Sequence, residues 1–360
     1  MQGYNVATVI ETSIIHDLIE KTKGLFDNLQ FLLFLKSSHV DISLFDDNNL
    51  ILSAEKQTQQ SGKIVLKKNG IVESQWLQYS KTIALSDDVK SAIQTEANVP
   101  DKIKETDSIE LSFSISLDEH DEFIKVKDTV VYTFLPTAYN NLNLPFLVNA
   151  NFITDAGREK LILDSEWNKF IFSKIPPCYL EWIATLSPTH NEYTNVLPPL
   201  RPSHDKLTEV YTDALQKAIE EVAFIPNVSK TALLKVDNAF IDKTNIISVL
   251  DASRFVSYLN RTLLKKFTVD SMLADRAVSV LSDYGVSVFK KSDIPALFQD
   301  QTIWTDIDSQ TDFKIVSFLY DYYVNHKEER DEWINILKGI QFLLGENKKL
   351  CNVDDIYIPT

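Results

Sequence analysis

Ile109-Glu110-Leu111-Ser112-Phe113-Ser114-Ile115-Ser116-Leu117 places an apolar side chain at every second position. Successive side chains of a strand point to opposite faces, so this stretch predicts a half-buried strand. The pattern extends outward on both sides. Upstream, Val40, Ile42 and Leu44, then Ile64 and Leu66, alternate with polar residues. Asp46-Asp47-Asn48-Asn49 and Lys68-Asn69-Gly70 supply the turns between them, so residues 39–83 read as an antiparallel meander. Residues 86–96 predict a short helix with Ser86 as N-cap and Asp87 and Asp88 in its first turn. Downstream, residues 129–135 and 145–152 predict two more strands. The second ends at Asp155-Ala156-Gly157, and a helical stretch rich in aromatics follows to about Leu186.

Further out, the apolar period becomes helical. Ile14, Ile15, Leu18 and Ile19 form a stripe, Gly24 interrupts it, and residues 25–35 resume it. Prolines concentrate between 176 and 202 and read as a boundary between two domains. After them come a helix over 204–222, short mixed elements, and helices near 311–325 and 330–344. No internal repeat is evident. The expected fold is α+β: a mixed β-sheet domain flanked by helices over residues 1–190, then a mainly helical domain over 191–360.

Composition narrows the function. The chain has 360 residues, 44% hydrophobic and 24% charged, which suits a globular core. Its net charge of -15 argues against a nucleic-acid role, because phosphate backbones need concentrated Lys and Arg. The same charge is repelled by an anionic membrane surface, and no apolar run approaches the roughly 20 residues of a spanning helix. Cys178 and Cys351 lie far apart and read as reduced thiols of a cytoplasmic protein.

Self-contained catalytic chemistry is hard to find. None of the eight glycines falls in a Gly-x-Gly spacing, which removes dinucleotide and kinase phosphate loops; a P-loop pattern is also absent. Cys178 follows two prolines with no His nearby, and no Gly-x-Ser-x-Gly elbow occurs. The six histidines are scattered, and His120 within Asp118-Glu119-His120-Asp121-Glu122 reads as a solvated turn rather than a metal site. Trp167, Phe170, Phe172 and Trp182 read as core rather than as a ligand groove.

One segment carries a more specific signal: Val130-Val131-Tyr132-Thr133-Phe134-Leu135-Pro136-Thr137, then Leu144-Pro145-Phe146-Leu147-Val148-Asn149-Ala150-Asn151-Phe152, Asp155-Ala156-Gly157-Arg158-Glu159, and Glu166-Trp167-Asn168. It resembles the middle segment of sacsin-type, Hsp90-like ATPases. Leu32-Leu33-Phe34-Leu35, Val99-Pro100-Asp101-Lys102 and the last residues, Asp355-Ile356-Tyr357-Ile358-Pro359, fit the same pattern. The resemblance implies that residues 1–190 are a transducer-like domain. ATP and Mg would then be held by an adjoining Hsp90-like ATP-binding domain, in cis or in trans. This chain would bind neither alone, since the family's Asp-x-Gly-x-Gly and Glu-x-x-x-Asn elements are missing. It further implies coupling of ATP binding to chaperone-like remodelling of protein clients. Gly3-Tyr4-Asn5-Val6-Ala7-Thr8-Val9 resembles the last strand of that ATP-binding domain, so the chain is expected to begin just past it. If the chain is instead complete, the ATPase belongs to a partner.

Within the resemblance, Arg158 takes the place of the basic residue that reaches the γ-phosphate, and a helix is expected to open beside it. A guanidinium fork suits that task because it binds phosphate oxygens bidentately and stays charged. Lys160 is the nearest substitute. Asn149 and Asn151 either face the ligand side of the domain junction or tie down the backbone. Without the resemblance, Arg158 reads as a surface residue paired with Asp155 or Glu159. Two other classes remain open at this level. One is a stand-alone protein–protein interaction module using Phe313, Val316, Leu319 and Tyr320; the other is a hydrolase built on paired carboxylates.

Overall fold

A computed structural model describes residues 22–24, 26–46, 49–97, 99–157, 159–227, 229–263, 272–273, 278–325 and 330–355. The readings of Gly3 to Val9, of the first helical stripe, of Arg158 itself and of Ile356 to Pro359 lie outside the described residues. The chain divides into two compact units, residues 1–179 with 195–215, and residues 180–194 with 216–360. The division is discontinuous in sequence, where a single boundary near 190 was expected.

The first unit is built on a mixed sheet of nine strands. β1 (His39–Asp46), β2 (Asn49–Thr58), β3 (Lys63–Lys68) and β4 (Ile71–Ala84) pair antiparallel in succession. Asn69 and Gly70 turn the β3–β4 hairpin with φ of 52° and 78°, the paired left-handed conformation that keeps the strands' natural twist. β4 pairs along its length with β5 (Ser108–Leu117), reached through α1 (Asp87–Thr95) and α2 (Asp101–Lys104). β6 (Phe123–Ile124) adds to β5. The expected strand over 129–135 is two short ones, β7 (Val131–Thr133) and β8 (Leu135–Pro136), because Phe134 between them has φ 65°. β9 (Leu147–Asn149) runs antiparallel to β5 and parallel to β7, which makes the sheet mixed.

The β5 alternation sorts the sheet's faces. Phe113 meets Tyr179 edge-on at 5.5 Å, and Phe146 stacks on Tyr179 at 3.5 Å between ring centres. Tyr179 and Phe172 belong to α3 (Glu166–Leu186), which covers that face. Pro176 and Pro177 lie inside α3 rather than in a linker; the helix forgoes the N–H bonds they lack.

The serine face was expected to be wet. It is buried instead, with Ser114 0% exposed, because the segment before β1 lies over it. That segment is a 3-10 helix, Leu29–Phe34, not the α-helix its period suggests, and Asn28 caps it by accepting the N–H of Gln30. Phe26, Leu29, Leu32, Leu33 and Phe34 pack with Ile64, Leu66 and Trp76. Buried Lys56 donates to the carbonyls of Leu33 and Leu35 at 3.0 and 2.6 Å, satisfying the end of the 3-10 helix. Gln78 serves Leu33 O and Ser114 Oγ. Every polar group brought under the segment has a partner, as burial demands.

The second unit is mainly helical but contains small sheets. α4 (Lys206–Glu221) leads into it, and β10 (Ile225–Pro226) pairs with β11 (Leu233–Leu234). β12 (Phe240–Asp242) lies between β13 (Met272–Leu273) and β14 (Ser287–Phe289), all parallel. The helices are α5 (Ala252–Leu263), α6 (Val278–Asp283), α7 (Ile294–Gln299), α8 (Ser309–Asn325) and α9 (Arg330–Lys338). Residues 343–344 form a strand, β15 (Leu343–Leu344), pairing with β16 (Leu350–Cys351), so α9 stops short of 344. Phe240, Phe255, Phe289, Phe298, Trp304 and Trp333 centre one apolar core. The indole N–H groups of Trp304 and Trp333 donate to the carbonyls of Leu297 and Leu319.

An internal recurrence also appears. α4 is followed by the β10–β11 hairpin and a 3-10 turn at Val236–Asn238; α9 is followed by the β15–β16 hairpin and a 3-10 turn at Val353–Asp355. The registers correspond: Ile225 faces Leu234 as Leu343 faces Cys351. Leu233-Leu234-Lys235-Val236-Asp237-Asn238 and Leu350-Cys351-Asn352-Val353-Asp354-Asp355 then align residue for residue.

Candidate functional site

The residues singled out by sequence follow β9. Asn149 is buried, and its Oδ1 accepts the N–H of Phe134 at 2.7 Å. That bond holds the left-handed residue separating β7 from β8. Asn149 thus ties down backbone through its Oδ1, the second of its two expected roles. Asn151 is exposed, and its carbonyl accepts the indole N–H of Trp167 at 2.7 Å.

Past Asn151 the chain makes a closed loop. Thr154 and Leu161 form an isolated antiparallel bridge. Between them, the Asp155 N–H donates to Lys160 O at 2.8 Å. The Asp155 Oδ1 accepts the N–H groups of Glu159 at 3.1 Å and Lys160 at 3.3 Å, the backbone capture for which Asp is suited in turns. The N–H of Ala138, just after β8, donates to Glu159 O at 2.7 Å. Asp155, Ala156, Gly157, Glu159 and Lys160 are all exposed. The loop is therefore held at its ends, and its described residues are exposed.

No helix opens at this point, contrary to expectation. Asp155 captures the amides in a turn instead, and α3 begins at Glu166. Its start is capped from elsewhere: the N–H of Glu166 donates to Glu96 Oε2 at 3.0 Å, a carboxylate at the positive end of the helix. Between loop and helix, exposed Asp164 pairs with Lys206, and the Lys206 ammonium holds its carboxyl below the usual range.

Asn168 is the side chain that joins these pieces. It is 0% exposed. Its Oδ1 accepts the N–H of Ile153 at 2.8 Å, and its Nδ2 donates to Ile153 O at 2.8 Å and Ile162 O at 3.0 Å. One amide thereby staples both sides of the loop to the first turn of α3. The sequence reading noted Asn168 only as part of a motif, and Asp155 only as an ion-pair candidate. A polar residue one position after a core Trp, at the start of an apolar helix, was the available signal.

The other candidates resolve simply. Trp167, Phe170, Phe172 and Trp182 are buried in packing. His120 sits in an exposed turn closed by Asp118, whose Oδ1 accepts the N–H groups of His120 and Glu122. Cys178 and Cys351 are free thiols. On α8, Leu319 is buried, while Phe313 and Tyr320 are exposed. Among the described residues, no three His, Cys, Asp or Glu side chains converge to hold a metal ion, and no helix is long and apolar enough to cross a membrane. Compared with family models, with curated proteins and with solved structures, the chain matches none.

Proposed function

We propose that this chain is the middle, transducer-like segment of a cytoplasmic, sacsin-type Hsp90-like ATPase. In this reading it catalyses nothing alone. It presents Arg158 to the γ-phosphate of ATP, held with Mg in an adjoining ATP-binding domain in cis or in trans. Docking of the domains then couples ATP binding to chaperone-like remodelling of protein clients.

The observation that supports the reading is the anchoring of residues 154–161. The residues on either side of Arg158 are held by Asp155, by Ala138 and, at the loop's base, by Asn168, while their side chains face solvent. A basic residue that completes a phosphate site on another domain works best when its carrier is already ordered, since positioning lost to disorder is lost from the rate. Lys160 on the same loop is an exposed cation.

The test is Arg158→Ala in the assembly of this chain with its ATP-binding domain. Removing one donor to developing charge lowers turnover about a hundredfold or more, and ATP binding is expected to stay within about twofold. Unchanged turnover removes Arg158 from the site.

A further inference from the structure

The second unit contains a feature that the transducer reading leaves unused. β12 is the middle strand of its parallel sheet. The chain leaves the carboxyl end of β12, passes through α5 to β13 on one side, and then through α6 to β14 on the other. In open parallel sheets, the crevice where successive connections diverge, beyond the carboxyl ends of the strands, is where ligands bind. A cleft of about 500 Å³ opens there, between residues 243–249 and one face of α8. That volume lies in the range of small-molecule sites.

The strand-side wall is ordered from below. Asp242 is buried; its Oδ1 accepts the N–H and the hydroxyl of Thr244, both at 2.8 Å, and its Oδ2 accepts the N–H of Ile247 at 3.2 Å. Both carboxylate oxygens are thus engaged, which leaves no free nucleophile but a fixed turn. The N–H of Lys243 donates to Phe289 O of β14 at 2.9 Å, so its backbone is held while its side chain is exposed. Asn245, at φ 59°, follows it on the cleft wall.

The facing wall presents Phe313, Lys314, Ser317 and Asp321 from α8, spaced to lie on one helical face. Phe313 is 72% exposed, a large apolar ring with little protein against it. Among the described residues, neither Lys243 nor Lys314 has an ion-pair partner. The cleft therefore brings together two exposed ammonium groups, Lys314 also acting on the Asp308 carboxyl outside the cleft, an exposed ring, a hydroxyl and one carboxylate.

We propose that this cleft binds a nucleoside phosphate, independently of the transducer reading. Lys243 and Lys314 take the phosphates, Phe313 stacks on the base, and Asp321 accepts the ribose hydroxyls. Each assignment follows from chemistry: ammonium groups for an anion, an aromatic face for a flat ring, a carboxylate for vicinal hydroxyls. A site for a bare anion gains nothing from the exposed ring and is opposed by Asp321.

The experiment is calorimetric titration of the chain with ADP and, in parallel, with pyrophosphate, which keeps the phosphates and lacks the nucleoside. ADP is expected to bind saturably and more tightly than pyrophosphate. Lys243→Gln and Lys314→Gln should each weaken ADP about tenfold, as loss of a charged hydrogen bond does. Phe313→Ala should weaken it by a similar factor, and Lys338→Gln, an exposed lysine that does not line the cleft, should change nothing. All three cleft positions are exposed, and circular dichroism verifies that each variant is folded. Absence of saturable ADP binding into the millimolar range overturns the proposal. So does pyrophosphate binding as tightly as ADP, or ADP binding that the two lysine variants leave intact.

Discussion

Replacing Asn168 with Leu keeps the side chain's size and removes all its polar atoms, so the loss can be worked bond by bond. Three hydrogen bonds disappear, to Ile153 N–H, Ile153 O and Ile162 O. The two carbonyls are not orphaned: Ile153 O still accepts the N–H of Ile162 at 3.1 Å, and Ile162 O that of Ser165 at 3.4 Å. The Ile153 N–H has no such substitute and is left buried. An orphaned buried donor costs about 1–3 kcal/mol, and each lost carbonyl bond about 0.5–1.5 kcal/mol. The first unit should therefore lose about 3–4 kcal/mol in urea unfolding, with part of the loss recovered by the better burial of Leu. Hydrogen exchange separates the local effect from the global one, because the Ile153 amide should exchange faster than the drop in global stability accounts for. Asn168→Asp adds a second readout. An ionised carboxylate there faces two carbonyls, so this variant should regain stability as pH falls and the acid protonates. A loss below about 1 kcal/mol with Ile153 still protected refutes the claim that this amide holds the loop.

Two further predictions concern buried tyrosines. Tyr211 is buried and its hydroxyl lacks a hydrogen-bond partner, so Tyr211→Phe should stabilise the chain by about 1–2 kcal/mol in urea titration; destabilisation means the hydroxyl has a partner in solution. Burial pushes the Tyr132 hydroxyl up to about 12, against about 10 in an unfolded chain. Below pH 10 both states keep the proton, so this contribution to stability is fully present. Above it the unfolded chain ionises first, and about 3 kcal/mol is lost by pH 12. Burial pushes Tyr139, Tyr193 and Tyr211 in the same direction. Phenolate absorbance rising for every tyrosine near pH 10, with unfolding free energy unchanged, contradicts this.

The parts of the fold legible in sequence are those where one period runs long enough to repeat. β1, β3 and β5 announce themselves by alternation, and α3, α4 and α8 by helical spacing. The 3-10 segment at Leu29–Phe34 was misjudged because its apolar residues satisfy a helical period while also covering a sheet face. The parallel strands of the second unit were invisible: β12 and β14 have three residues each, too few to alternate. The recurring hairpins escaped for the same reason, with strands of two residues. At the loop, residue types suggested a turn or a helix start but did not say which. Asp155 beside Gly157 reads as a helix start or a turn, and only the geometry shows which amides its carboxylate takes. Asn149 and Asn168 are both buried amides serving backbone, a role that spacing cannot distinguish from ligand contact.

Charge places both proposed sites in one frame. With 51 acidic residues against 36 basic ones, several cations of this chain are held by carboxylates. Lys63 pairs with Asp121, Lys67 with Glu55, Lys90 with Asp107, Lys169 with Glu166, and Arg261 with Asp300. Exposed pairs of this kind contribute only about 0–1 kcal/mol, so stability scarcely depends on which lysines have them. Availability does depend on it. An incoming phosphate must displace the carboxylate of a paired lysine and lose that energy from its affinity, whereas an unpaired lysine is open to it at once. Among the described lysines outside any ion pair are Lys160, Lys243 and Lys314, the last of them near enough to Asp308 to help lower its carboxyl. Lys160 stands on the loop that Asp155 closes, and the other two face each other across the cleft beyond β12. Beneath each set a buried or anchored polar side chain fixes the backbone, Asn168 under one and Asp242 under the other. These three cations therefore lie where the chain has already ordered the backbone that carries them.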